Sequence, residues 1–199
     1  MKKRVIYIYL ITSIIISLIF GSLAHAWDIS LLVNDENLNF QIQHPVYTYS
    51  GNPLFLGSEV HYNKENSETS SWIFSPYFFA SSFYKKPIDV SLGFKGSVGK
   101  LEFTSSGKED IFNFAFMFKV LINFKKYFNI DLFWDNRVVY APKILSFEDC
   151  EKEFGVDIAL GWRINRASSI LVAYKFDKFE TPGGNWKLDT ILVGTRIHF

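Results

Sequence analysis

From Phe112 to Phe124 every second residue is bulky and apolar: Phe112, Phe114, Phe116, Phe118, Val120, Ile122 and Phe124. Asn113, Ala115, Met117, Lys119, Leu121 and Asn123 fill the gaps. A helix would scatter these side chains around its circumference, whereas the two-residue period of a strand collects them on one face. A long strand with one wholly greasy face must lie against something apolar. That leaves a sandwich or barrel with the grease inside, or a barrel with lipid outside.

The alternation recurs. Ile88, Val90, Leu92 and Phe94 oppose Asp89, Ser91, Gly93 and Lys95. Phe154, Val156, Ile158, Leu160, Trp162 and Ile164 oppose Gly155, Asp157, Ala159, Gly161 and Arg163. Ile170, Val172, Tyr174 and Phe176 oppose Leu171, Ala173, Lys175 and Asp177. A strand over 128–140 sets Phe128, Ile130, Leu132 and Trp134 against Asn129, Asp131, Phe133, Asp135 and Arg137. Weaker strands cover 27–33, 38–43, 54–62 and 72–83, and 188–199 closes the set. Ten strands are expected, or eight if the two N-terminal segments do not both span. Short turns at 85–87, 125–127 and 165–168 are expected at one end. Longer polar loops at 63–71, 104–110, 141–152 and 177–187 are expected at the other, with 44–53 a longish exception beside the short turns.

The chain ends select among these solvents. Lys2, Lys3 and Arg4, the apolar run from Val5 to Phe20, and Ala24-His25-Ala26 have the layout of a cleaved signal peptide over residues 1–26. An uncleaved anchor is the alternative. Residues 27–199 then form one barrel domain of formal charge −2, which does not suggest nucleic acid as a partner. The last strand puts Ile191, Val193, Thr195, Ile197 and Phe199 on one face and Gly194, Arg196 and His198 on the other. Ending a secreted chain on an aromatic looks like the assembly signal of an outer-membrane barrel, with Phe199 as that signal. Small residues on the polar faces suit a narrow lumen. Tyr84, Tyr127, Phe128, Tyr140, Trp162, Trp186 and Phe199 near strand ends suit interfacial girdles. The expected fold is a transmembrane antiparallel up-and-down β-barrel in the outer membrane of a Gram-negative bacterium. A soluble lipocalin-like periplasmic carrier is the alternative.

The strand 128–134, the exit Val139-Tyr140-Ala141-Pro142, the strand 156–163, Leu171-Val172-Ala173-Tyr174-Lys175-Phe176 and the ending 193–199 resemble YfaZ-type outer-membrane proteins. The resemblance covers most of residues 27–199 and is best from about residue 128. It implies a porin-like barrel, ten-stranded, without an established substrate, and it brings no catalytic motif. This chain has fewer glycines and more phenylalanines than that family, so a shared ligand does not follow.

If the phenylalanine row faces lipid, the opposite row lines the lumen. Its acids are Glu59, Asp89, Asp131, Asp135, Asp157 and Asp177; its bases are Lys95, Lys119, Arg137, Arg163, Lys175 and Arg196. Six against six suits a salt-bridge plug better than a pore selective for one sign. A narrow or gated channel and a ligand pocket stay open. Glu59 and His61 share a strand face and form a weak general-base pair, so a barrel enzyme is a further alternative. No G-x-S-x-G, H-E-x-x-H or phosphate loop is present, and no catalytic residue, cofactor or metal is expected. His44 and His198 lie near the terminal end and are not expected to converge with His61. The loops 63–70 and 146–153 are solvated charge runs, or carboxylate clusters for divalent cations or lipopolysaccharide. Cys150, the single cysteine, has no internal partner, and acidic neighbours should blunt its thiol. Expected partners are outer-membrane lipid and the barrel-assembly machinery, with a monomer as the expected state.

Overall fold

The structure, a computed structural model, describes residues 27–49, 52–64, 70–82, 87–103 and 107–199. The signal-peptide reading, Tyr84 and the Lys85-Lys86 turn lie outside these residues. Eleven strands follow in chain order: β1 (Asp28–Val33), β2 (Asn37–Tyr49), β3 (Asn52–Lys64), β4 (Ser70–Ser81), β5 (Ile88–Phe103), β6 (Gly107–Asn123), β7 (Leu132–Ala141), β8 (Ser146–Glu148), β9 (Lys152–Arg163), β10 (Ser168–Thr181) and β11 (Gly184–His198). Ten of them form the wall. Each pairs antiparallel with its sequence neighbour, and β1 pairs with β11 to close a barrel. The short β8 pairs only with the upper part of β6, where β7 has already ended.

Register sets the width. Following paired residues once around the wall returns to β1 about twelve residues further along, an offset that tilts ten strands by roughly 40°. Such a barrel is little wider than the eight-stranded kind, whose interior side chains fill.

Several strands outrun their expected bounds, which shortens some of the expected loops. β10 and β11 are joined only by Pro182 and Gly183, with Gly184 at a φ of 140°. Residues 107–110 and 177–181 of the segments read as loops are extended strand, and cross-strand charge pairs flank them: Lys100 with Asp110, Lys108 with Glu102, and Lys152 with Glu180. Residues 65–69 and 104–106 of the expected loops lie outside the described residues, and 142–151 remains a connection that carries the short β8. Of the expected 44–53 connection, residues 44–49 and 52–53 are strand. A bulge between Pro45 and Tyr47 absorbs the proline, which has no N–H to give a ladder. Conversely, the strand expected from Phe128 starts only at Leu132. Lys125–Phe128 forms a helical turn, α1, closed by Asn129 in the left-handed region at φ 55°. The longest connection among the described residues on the side of the chain termini is therefore 124–131.

Phe40, Phe74, Phe78, Leu92, Phe94, Phe112, Phe114, Phe116, Phe118, Leu160, Val172 and Val193 are all exposed. They point outward as one continuous apolar band. The alternating faces thus have the polarity of a lipid-facing barrel, the reverse of a lipocalin-like carrier.

Candidate functional site: the barrel interior

The interior is stacked in three layers. At the end away from the termini, Ile73, Leu101, Ile111, Phe179, Trp186 and Leu188 meet in a buried apolar cluster. Cys150 drops into it from the β8–β9 connection and accepts a bond from Asn113 Nδ2 at 3.3 Å. Burial pushes the Cys150 thiol up, so desolvation, more than the acidic neighbours, quiets it. Trp186, expected in an outer girdle, belongs to this plug. Parity puts it on the inner face with Leu188 and Leu192, all three of which are buried.

The middle layer is ionic. Lys119, Arg137, Asp157 and Lys175 are successive cross-strand partners on β6, β7, β9 and β10. Glu59 reaches them from β3. It accepts from Arg137 Nη2 at 2.5 Å, Lys175 Nζ at 2.8 Å and Asn39 Nδ2 at 2.6 Å. Arg137 Nε also bonds Asp157 at 2.6 Å, while Lys175 lies 3.2 Å from Asp157 and 3.1 Å from Asp177. Lys95 pairs with Glu153 at 2.9 Å, and Ser97 Oγ donates to the same carboxylate. Nearer the termini, Lys119 and Arg196 share Asp135 at 3.3 and 3.0 Å. Each charge has a close opposite, the arrangement that offsets the cost of removing ions from water.

The third layer is an open vestibule of about 410 Å³ at the terminal end, which includes Asp28, Asp89, Arg163, Arg196, His198 and Phe199 in its lining. Asp28 and His198 Nδ1 lie 2.5 Å apart there. Ser81 Oγ bonds Asp89 at 2.7 Å. Phe199 lines this mouth rather than joining the outward column, and its N–H bonds Trp27 O. Above the vestibule, only about 50 Å³ is open among Glu59, Tyr77, Arg137, Asp157 and Lys175. That is room for a few waters at most.

Eleven of the twelve expected lumen charges face the interior, Arg163 at its mouth. Asp131 does not. It precedes β7 and pairs with Lys125 at the rim, because the chain is still in the helical connection there. Glu153 takes an interior place instead and is fully buried. Extending the 154–164 alternation by one residue puts it on the face of Gly155 and Asp157, a signal masked by the acidic run before it. Glu109, opposite Leu101 on the same face, turns inward as well. With Asp28, Glu109 and Glu153 added and Asp131 removed, eight carboxylates face six cations, a small acidic excess.

The Glu59–His61 pair does not form. Glu59 is held by three other groups, and both ring nitrogens of buried His61 lack a hydrogen-bond partner among the described residues. The outer 146–153 run is not a carboxylate cage either. Its first three residues are β8, Cys150 and Glu153 turn inward, and Glu151 pairs with Lys143. No group of three His, Cys, Asp or Glu side chains among the described residues is placed to hold a metal ion.

No protein-family model and no curated protein matches the sequence. Among solved structures, the chain is similar to the outer membrane channel DcaP of Acinetobacter baumannii, at 11% identity and a TM-score of 0.39. The match covers 86% of this chain and 61% of that one, so the chain spans less than two thirds of the channel's length.

Proposed function

We propose that this chain is a small outer-membrane β-barrel whose lumen is closed at rest, porin-like in architecture but not an open pore. One observation carries the reading: the apolar faces point out while the interior is filled by paired charges and an apolar plug. The band runs from Phe112 to Ile122 on β6 and from Phe154 to Trp162 on β9, about the 9–11 residues a tilted strand needs to cross a bilayer. Trp27, Trp134 and Trp162 ring its lower edge, and Tyr62, Trp72 and Tyr140 its upper edge, as interfacial aromatics do. Beyond the upper ring the outward residues become Lys100, Asp110, Lys152 and Lys187, all exposed. In water such a band would be an aggregation hazard.

Membership of the YfaZ-type proteins, export by a cleaved signal peptide and assembly through the terminal Phe199 belong to the same proposal. The reading is non-enzymatic, since Glu59 is consumed by its cations. Planar-bilayer recordings of refolded protein test it: the wild type should be silent at all holding voltages. A steady ohmic conductance would refute the closed lumen. Recovery in the soluble periplasmic fraction would refute the membrane location.

A further inference from the structure

We propose that the cleft between the β6–β7 connection and the β9–β10 turn binds the phosphate of a phospholipid in the leaflet at the terminal end of the barrel. This rests on the membrane reading above. The cleft is a half-open recess of about 370 Å³ lined by Lys125, Asp131, Arg163, Ile164, Asn165 and Arg166. Three cations therefore share it with one carboxylate, and Lys125 already holds Asp131 at 2.6 Å. Arg163 donates from Nη1 to Asn123 Oδ1 at 3.1 Å, a neutral acceptor, and makes no ion pair among the described residues. Arg166 makes none there either. Arg163 also lies over the Phe133 ring, 5.2 Å from its centroid. The stacking and the single neutral bond orient the guanidinium without neutralising it. A planar fork of N–H donors left in that state matches two oxygens of a phosphate.

Depth selects the source of that phosphate. Trp134 and Trp162 point outward near the terminal ends of β7 and β9, and Phe128 and Ile164 are exposed beside the cleft. Tryptophans take the boundary between hydrocarbon and headgroups, so a basic cleft at their edge lies at headgroup depth. There the oxyanion of a phosphodiester meets Arg166 on the β9–β10 turn and Arg163 at the rim between the cleft and the vestibule, while its acyl chains continue along the apolar band. A free phosphate offers the same oxygens but nothing to cover Ile164 and Trp162. Basic residues near a membrane surface add attraction for anionic lipids.

The test refolds wild type, the double variant R163Q/R166Q and the control K187Q into phosphatidylcholine vesicles containing phosphatidylglycerol. Lys187 is exposed near the opposite end of the barrel. Native mass spectrometry after mild detergent extraction reads the bound lipid. Wild type and K187Q should retain a phosphatidylglycerol adduct. R163Q/R166Q should lose it by about tenfold or more, the scale of one charge-assisted hydrogen bond. Equal adducts in the double variant would overturn the site. Displacement of the lipid by inorganic phosphate would overturn the lipid assignment in favour of a free anion. Heat-modifiable gel migration is read for all three proteins. Folded bands with no difference in adduct refute the cleft, whereas no folded band in any of them refutes the membrane reading instead.

Discussion

Lys95 and Glu153 give the sharpest test of how the interior is held shut. They face each other across the lumen at the boundary between the ionic layer and the apolar plug, with side chains 4% and 0% exposed. Lys95→Met leaves the Glu153 carboxylate with only Ser97 Oγ as donor, and Glu153→Gln leaves the Lys95 ammonium facing a neutral amide. Breaking one partner of a buried pair costs about 3–5 kcal/mol, because the remaining charge stays dehydrated. Replacing both with apolar residues of similar volume is close to neutral, since the desolvation cost disappears with the charges. K95M and E153Q should therefore each lower unfolding stability by about 3 kcal/mol, and K95M/E153M should recover most of that loss. Urea unfolding in lipid vesicles, followed by tryptophan fluorescence, measures all four proteins; Trp186 lies in the adjoining plug and reports locally. Single variants costing under about 1 kcal/mol, or a K95M/E153M variant no more stable than K95M, would refute the compensated-charge picture.

Three further outcomes follow from the packing. A Cβ at Gly194 would lie 1.8 Å from Leu31 O, a backbone atom in the β1–β11 seam that closes the wall. Gly194→Ala should cost about 1–3 kcal/mol and lower the yield of heat-modifiable barrel; full yield at wild-type stability would show that the seam yields easily. Buried His61 satisfies neither ring nitrogen, so His61→Leu should equal or exceed wild-type stability, by up to about 1 kcal/mol. A clear loss in the same urea titration would reveal a partner for the imidazole. The buried Cys150 thiol, raised by desolvation, should resist alkylation in the folded barrel and react only on unfolding. Because the folded thiol ionises at higher pH than the unfolded one, its contribution is intact below the free-thiol range and is lost as pH climbs through the folded value. Rapid labelling of folded protein at mildly alkaline pH would contradict this.

The two-residue period made much of the wall legible in the sequence. The Phe112–Phe118 row, the 154–163 and 170–177 strands, and Ile191 and Val193 of the closing strand lie where their alternation puts them, whereas Ile197 is buried and Phe199 turns to the mouth. Eleven named lumen charges share the inner face. Reading failed where a local polar run hid a strand or an apolar run hid a turn. Lys108, Asp110 and Glu180 read as loop because their partners lie on other strands. Phe128 and Ile130 read as strand because greasiness alone does not exclude a helical turn.

Local pattern by itself determined that this chain is all-β, that each long strand has one greasy and one small or polar face, and that the two charge signs nearly balance. Those properties reside in neighbouring residues and a fixed backbone period. What the tertiary structure decided is what the inner face becomes. Ten strands and their register bring Glu59 to Arg137, Lys95 to Glu153, and Cys150 to the Trp186 cluster, pairs far apart in the chain. Only the tilt and closure of the wall place such residues at one height, and height within the lumen separates an open passage from a closed one.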